Sequence, residues 1–133
     1  MAHPYTLSTI VSSPIADLRP RVEAALKAEG FGILTEIDAA ATLKAKLGIE
    51  RSPYLILGAC NPALAHRALE ADPSIGALLP CNVVLREAAD PRETVVEIVD
   101  PLAALAISGE PEVEPIASEA AERLRRVLAA IAA

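Results

Sequence analysis

The sequence is poor in aromatic residues, with two tyrosines, one phenylalanine and no tryptophan. It also lacks an excess of positive charge, since 12 lysines and arginines stand against 18 aspartates and glutamates. Nucleic-acid-binding proteins usually carry a basic surface, and single-strand binders add aromatic side chains on which bases stack. We therefore expect no nucleic-acid partner.

Long apolar runs are absent too, although 53% of the residues are hydrophobic and the mean hydropathy is +0.38. A membrane-spanning helix needs about 18 to 20 consecutive apolar residues. Polar side chains such as Glu36, Arg51 and Asn82 interrupt the apolar stretches well before that length. Residues 1–5 show neither the basic end nor the apolar core of a secretion signal. We therefore expect a cytoplasmic protein with no membrane association.

Cysteine and histidine are scarce, with two of each. Cytoplasmic thiols are normally kept reduced, so a disulfide between Cys60 and Cys81 is not expected. A structural zinc site usually takes four ligands at recognisable spacing, which the sequence does not show. Phosphate-cradling glycine loops, serine nucleophile elbows and dinucleotide fingerprints are also missing. The sequence therefore predicts no structural zinc site, and it leaves any cofactor unknown.

The 133 residues suit a single domain, which we assign to residues 1–133. Apolar runs bounded by Gly, Pro, Asn and Asp predict five strands, at 5–11, 31–37, 54–60, 81–86 and 93–99. Helical spacing predicts four helices, at about 17–29, at 39–47, from 62 onward and at 116–132. These elements predict an α+β fold with a five-stranded mixed or antiparallel sheet, on which the amphipathic C-terminal helix packs.

Pro20 is the residue that fits its predicted helix least well. A proline in a helix interior removes a backbone hydrogen bond, whereas the first turn needs no donor at that place. We therefore predict that Asp17 caps the first helix and that Pro20 lies in its first turn. Gly30 and Gly48 are expected to end the first and second helices.

The third and fourth strands are apolar on both of their alternating sets. The third has Tyr54 and Ile56 against Leu55 and Leu57, and the fourth has Val83 and Leu85 against Val84. A sheet with two apolar faces must be covered on both. The helices can do this alone, or a second subunit can cover part of one face, and we favour a homodimer.

Each cysteine is followed by an asparagine at a strand end. Cys60 and Asn61 end the third strand, and Cys81 and Asn82 begin the fourth. If these strands are antiparallel neighbours, the four residues meet; if they are parallel, the thiols lie at opposite edges. A thiol beside a helix N-terminus has a lowered pKa, which makes Cys60 a candidate nucleophile or metal ligand.

Three hypotheses follow from these four residues. We predict a non-enzymatic binding module that holds a small ligand or a soft metal near Cys60, Asn61, Cys81 and Asn82. The second hypothesis is a thiol-based redox or sulfur-transfer enzyme, in which Cys60 attacks and Cys81 resolves. The third is a structural or interaction protein, since a free cysteine most often packs as a small hydrophobe.

The asparagines and the nearest histidine have simpler interpretations. Asn61 is most simply a helix cap. Asn82 needs partners if it is buried, and these can be a loop backbone or a ligand. His66 falls outside the predicted buried stripe of its helix, which contains Leu64, Ala65, Ala68 and Leu69, so we do not pair it with Cys60.

Several segments in order carry a resemblance to a known family. They are residues 30–38, 43–48, 55–62, 75–84, 94–96 and 100–101, and the two cysteine–asparagine segments are the most specific of them. Together they resemble the bacterial and archaeal family called domain of unknown function 302, over about residues 5 to 131. The resemblance implies a compact α+β fold and a homodimer, and it implies no activity.

Overall fold

The computed structural model describes residues 3–132, which form five strands and five α-helices with two short 3-10 helices. The strands are β1 (Thr6–Val11), β2 (Gly32–Asp38), β3 (Tyr54–Cys60), β4 (Cys81–Glu87) and β5 (Thr94–Val99). The α-helices are α1 (Ile15–Ala28), α2 (Ala39–Leu47), α3 (Pro62–Ala71), α4 (Pro101–Leu105) and α5 (Val113–Ala132). The 3-10 helices are Pro73–Leu78 and Ala106–Ser108. The predicted α+β fold is confirmed.

The strands form one sheet in the order β1-β5-β4-β3-β2, and every neighbouring pair is antiparallel. Of the mixed and antiparallel alternatives, the sheet is therefore the antiparallel one. The β4–β5 hairpin that the sequence predicted is present. Asp90 stabilises its turn by accepting from the backbone N–H of Arg92 at 2.9 Å and from the Arg92 guanidinium.

One face of the sheet carries the hydrophobic core. The central side chains on this face are fully buried, and they are Leu57, Val83, Leu85, Val96 and Ile98. Leu18, Val22 and Leu26 of α1 belong to the same core, as does a full-length apolar stripe of α5. The C-terminal helix therefore packs on the sheet as predicted. No helix within residues 3–132 has the length and apolar content to cross a membrane.

No helix within residues 3–132 covers the other face of the sheet. Its aliphatic side chains alternate along each strand with the side chains of the core face, and none of them is fully buried. Ile10 is 59% exposed and Ile37 is 49% exposed. Ile56 pairs with both Ile37 and Val84, so an apolar row crosses three adjacent strands on this face. We call this surface, with Ile10, Ile37, Ile56, Val84 and Val95, the open sheet face.

The predicted start of α1 is wrong. The helix begins at Ile15 after Pro14, whose carbonyl accepts from the backbone N–H of Asp17 at 3.1 Å and of Leu18 at 3.0 Å. Asp17 lies inside the first turn, and Pro20 lies inside the helix. The earlier start places Ile15 against the core, and this packing opposes the cost of an interior proline.

Other differences concern the helix ends and faces. Leu69 is 41% exposed, not part of a buried stripe. The last helix starts at Val113 instead of 116, because the buried Val113 side chain anchors its first turn. α4 was not predicted, and it is capped by Asp100, which accepts from the N–H of Leu102 at 3.0 Å. Gly48 ends α2 with a φ of 66°, as expected.

Candidate functional site

The two cysteines meet at the same end of the sheet. β3 and β4 are antiparallel, with Ala59 opposite Cys81 and Gly58 opposite Asn82. The sequence predicted that the two thiols lie close together only if these strands are antiparallel neighbours, and this condition is met. Both cysteines are free and half-buried.

A small cavity lies beside this pair. Its volume is about 30 Å³, and Cys60, Asn61 and Cys81 contribute to its lining. The rest of the wall is apolar and includes Phe31 and Leu64. This volume is close to the share of one water molecule in the liquid, about 30 Å³. A metabolite-sized ligand therefore does not fit here without a rearrangement of the core.

The two cysteines belong to different alternating sets of their strands, although both line the cavity. Successive side chains of a strand point to opposite faces of the sheet. By this alternation Cys81 belongs with Val83 on the core face, whereas Cys60 belongs with Gly58 on the opposite face. Cys60 is also the last residue of its strand. The Cys60 thiol nevertheless lies near enough to Cys81 to raise its pKa.

Neither thiol is acidified by its surroundings. Burial raises the pKa of Cys81 to about 11, and the nearby Cys60 thiol adds to that shift. Burial also raises the pKa of Cys60 above its ordinary value. The lowered pKa expected for Cys60 is therefore wrong. The N-cap residue of α3 is Asn61 and not Cys60, and the Asn61 side chain accepts the hydrogen bond from the backbone N–H of Leu64.

Asn61 is a structural residue at this site, as its simpler interpretation predicted. Its Oδ1 accepts from the backbone N–H of Leu64 at 3.2 Å. Its Nδ2 donates to the carbonyl oxygen of Glu29 at 3.4 Å. Arg123 of α5 donates to the same carbonyl at 3.1 Å. Both polar atoms of the Asn61 amide are thus engaged by backbone groups of the protein.

Asn82 and His66 lie away from the cavity. Asn82 is exposed and pairs with Gly58, and it lines a shallow groove of about 400 Å³ on the open sheet face together with Tyr54, Arg86 and Glu97. His66 is exposed on α3, as the sequence indicated. Within residues 3–132, no three histidine, cysteine or acidic side chains are grouped to hold a metal ion.

The sequence indicates that Glu36, Asp38, Lys44 and Lys46 form a helix cap and a solvated charged face, and the structure places three of them on a concave surface that was not predicted. It is an open groove of about 630 Å³ at the far end of β3, where Leu55 and Glu87 meet the first turns of α1 and α2. Glu36, Asp38 and Lys44 line it. Periodicity could not reveal this groove, because its walls come from four segments that are distant in sequence.

The model of the family "Domain of unknown function DUF302" matches residues 7–131. The chain belongs to the DUF302 family. A solved structure, described as "Crystal structure of uncharacterized conserved protein DUF302 from Bacillus stearothermophilus", is similar to it. That structure has 28% sequence identity and a TM-score of 0.88, and the match covers 96% of this chain and 98% of the other. No curated protein matches the chain significantly.

The family assignment confirms the resemblance seen in the cysteine–asparagine segments. It agrees with the fold, since the similar DUF302 structure superposes over almost its whole length. The family description names no reaction and no ligand. The function of this DUF302 chain therefore has to be argued from its own surfaces.

Proposed function

We propose that this DUF302 chain is a non-enzymatic, homodimeric binding module whose two copies pack through the open sheet face. The observation that carries the proposal is the uncovered apolar row of Ile37, Ile56 and Val84, flanked by Ile10 and Val95. Burial of apolar surface is favourable by roughly 25 cal/mol per Å². A contiguous apolar patch of this kind is typical of an interaction surface.

The open sheet face by itself is smaller than a standard interface. Five strands about 4.8 Å apart and six residues long at about 3.3 Å per residue outline a surface roughly 20 Å on each side. This flat outline of roughly 400 Å² is about half of the roughly 800 Å² per partner of a standard interface, so residues around the face would have to supply the rest. Two such faces can stack about 10 Å apart, as in a β-sandwich.

The charges on the open sheet face also favour self-association. Arg86 Nε donates to Glu97 Oε1 at 2.7 Å, and Glu97 lies in the same row as Val84. This pair neutralises itself within one subunit. A second copy can therefore cover it without burying an unpaired charge, which is the costly case. Since a two-fold interface brings the same patch onto itself, a self-neutral patch is compatible with it.

Sedimentation over a wide concentration range tests the dimer. We expect the wild-type chain to sediment as a dimer and Val84→Lys to sediment as a folded monomer. Leu69→Lys is the matched control, because Leu69 is also an exposed aliphatic residue but lies on α3. A monomeric wild-type chain overturns the proposal. Dissociation by Leu69→Lys but not by Val84→Lys moves the interface to another surface.

The small cavity favours a second candidate function, the binding of a soft metal ion. Two free cysteines and a volume of about 30 Å³ allow an atom-sized occupant at Cys60 and Cys81. Soft ions such as Cu(I) prefer thiolate ligands. Binding releases thiol protons, so the affinity should rise with pH. Asn82 is not part of this candidate site, since it lies on the open sheet face.

An anaerobic Cu(I) titration with a competing chelator tests this candidate. Binding of one ion per chain that is lost in both Cys60→Ser and Cys81→Ser supports it. Binding that is unaffected by either substitution, or no binding against the chelator, removes it. If the cysteines bind no Cu(I), Cys60→Ala and Cys81→Ala should change only the stability of the fold, as for cysteines that serve in packing.

A thiol-based enzyme receives less support from the geometry. A nucleophilic thiol is usually activated by a neighbouring base or a lowered pKa. The pKa of Cys60 is raised instead, and the exposed His66 does not line the cavity. Persulfide formed on the reduced protein by a sulfane-sulfur donor at neutral pH, and absent in Cys60→Ser, is the result that would restore this function.

A further inference from the structure

The large groove at the start of β3 is a gap in the helical layer. Its floor is formed by Leu55 and by the ends of β4 and β5, on the same face of the sheet as the core. Ile15 and Ala16 of α1 form one wall, and Ala40 and Ala41 of α2 form the other. The groove is open to solvent and has a volume of about 630 Å³. Binding clefts for small molecules have about 300 to 1,000 Å³.

The wall formed by α2 is loosely held. Of all helices with at least nine residues, within residues 3–132, α2 alone has no buried residue. Leu47 at its end is exposed, and Lys44 forms a solvent-exposed ion pair with Glu50 at 3.1 Å. A helix without buried anchors can shift to fit an occupant at little cost in packing. The groove is therefore adaptable along this wall.

The charges of the groove are only partly neutralised within the protein. Arg19 of α1 binds Glu36, and Lys44 binds Glu50. Arg51 lies over the ring of Tyr54, with its guanidinium carbon 5.1 Å from the ring centroid.

Two carboxylates of the groove can accept further hydrogen bonds or ion pairs. The half-buried Glu87 has no side-chain hydrogen bond or ion pair within residues 3–132. Asp38 uses Oδ1 to cap α2, accepting from the N–H of Ala41 at 2.8 Å, and its other carboxylate oxygen is not engaged there. The two carboxylates (−2) and the guanidinium of Arg51 (+1) thus leave a net charge of −1 beside an apolar floor. This combination complements a ligand with a positive head and an apolar body.

We propose that this groove binds a small organic cation, a primary amine whose ammonium group pairs with Glu87 and Asp38. The alkyl body of the ligand lies against Leu55 and Ile15. The site does not depend on the dimer, because its floor is on the core face and not on the open sheet face. Failure of the groove experiment leaves the dimer proposal untouched, and the reverse also holds.

Amide chemical shifts of the full chain, titrated with hexylammonium chloride, test the site. Hexanoate and 1-hexanol also have six carbon atoms and serve as charge controls. We expect saturable shifts at Ala40, Ala41 and Glu87 with hexylammonium, and at least fivefold weaker binding of the two controls, as expected for loss of about 1 kcal/mol of ion pairing. Equal binding of all three probes, stronger binding of hexanoate, or no saturable shift overturns the proposal.

Two substitutions test which carboxylates pair with the ammonium group of the ligand. Glu87→Gln should weaken hexylammonium binding about fivefold. Asp38→Asn should also weaken it, while the helix stays capped, since asparagine caps as well as aspartate does. Glu93→Gln is the matched control, because Glu93 is also half-buried near the same hairpin but does not line the groove. An equal effect of Glu93→Gln, or none of Glu87→Gln, contradicts the assignment.

Discussion

The side-chain amide of Asn61 donates to the carbonyl oxygen of Glu29 at 3.4 Å, across 32 positions of the sequence. The same side chain caps α3 through its oxygen. One residue thereby joins the C-terminal end of α1 to the N-terminal end of α3. The cysteine–asparagine segment at the end of β3 thus connects α1 and α3 through the hydrogen bonds of Asn61.

Replacing Asn61 should cost more than the loss of an ordinary cap. Asn61→Ala removes a cap and leaves the partly buried Glu29 carbonyl with one partner fewer, so we expect a loss of about 2–3 kcal/mol in the free energy of unfolding. Asn61→Asp keeps the cap and loses only the donor, so its cost should be smaller. Urea denaturation measures both.

The control for this prediction is Asp38→Ala, which removes the cap of α2 and no tertiary bond. Its expected cost is about 0.5–2 kcal/mol. Equal losses for Asn61→Ala and Asp38→Ala would show that the bond to Glu29 adds nothing measurable.

Gly58 should be intolerant of any side chain. A Cβ atom there would collide with Oγ1 of Thr35 on β2 and lie 2.8 Å from Cγ of Pro80. We expect Gly58→Ala to lower the free energy of unfolding by about 1–3 kcal/mol, as overpacking does elsewhere. Thr35→Ala in the same chain should recover part of that loss by removing the nearer obstacle.

Gly32→Ala is the control for the Gly58 substitution. Gly32 is also a strand glycine, but a Cβ atom there meets nothing within 4 Å. Its cost should therefore be small. If Thr35→Ala brings no recovery in the double variant, the contact with Pro80 is the dominant obstacle.

Stability should fall in alkaline solution because of Cys81. Its pKa is about 11 in the folded chain against 9.0 for the unperturbed thiol, so the unfolded chain loses this proton first as pH rises. The contribution is fully present below about pH 9 and is lost between about pH 9 and 11. It amounts to roughly 2–3 kcal/mol at about 1.36 kcal/mol per pH unit.

Urea denaturation of the wild-type chain and of Cys81→Ala at several pH values measures this contribution. The variant should lack most of the decline between about pH 9 and 11. Alkylation of the native wild-type chain should spare Cys81 at neutral pH, since the neutral thiol reacts slowly. Parallel pH profiles for the two chains would contradict the assignment of the decline to Cys81.

Amide hydrogen exchange should be fastest, among the longer helices, in α2. Protection from exchange follows the free energy of local opening, and a helix without buried side chains opens at low cost. α5 should be the most protected helix, because it buries residues along its whole length, from Val113 to Ile131. Protection of α2 equal to that of α5 would argue against an adaptable wall of the groove.

Local signals explain which elements could be predicted. Asn61 followed by Pro62 marks the start of α3, Gly48 marks the end of α2, and turn residues around Asp90 mark the β4–β5 hairpin. Each of these features depends on neighbours within a few residues. The start of α1 was mispredicted because Ile15, whose packing partners are distant in sequence, overrides the capping preference of Asp17.

The candidate site was predicted only in part, for a similar reason. The sequence placed Cys60 and Cys81 at strand ends, but it left the direction of the strands open. It also grouped Asn82 with them, although one step along a strand turns a side chain to the other face. The raised pKa values of the thiols follow from burial, which depends on the helices packed against the sheet.

The sequence by itself determined the family, the α+β class, most strand positions and the apolar character of both faces of β3 and β4, because these follow from local pattern and composition. Tertiary structure alone decided the antiparallel order of the strands, the shared cavity of Cys60 and Cys81, and the groove between α1 and α2. The physical reason is that strand pairing and helix packing join segments far apart in the chain. The free energy of each such contact depends on both partners, and neither segment encodes it alone.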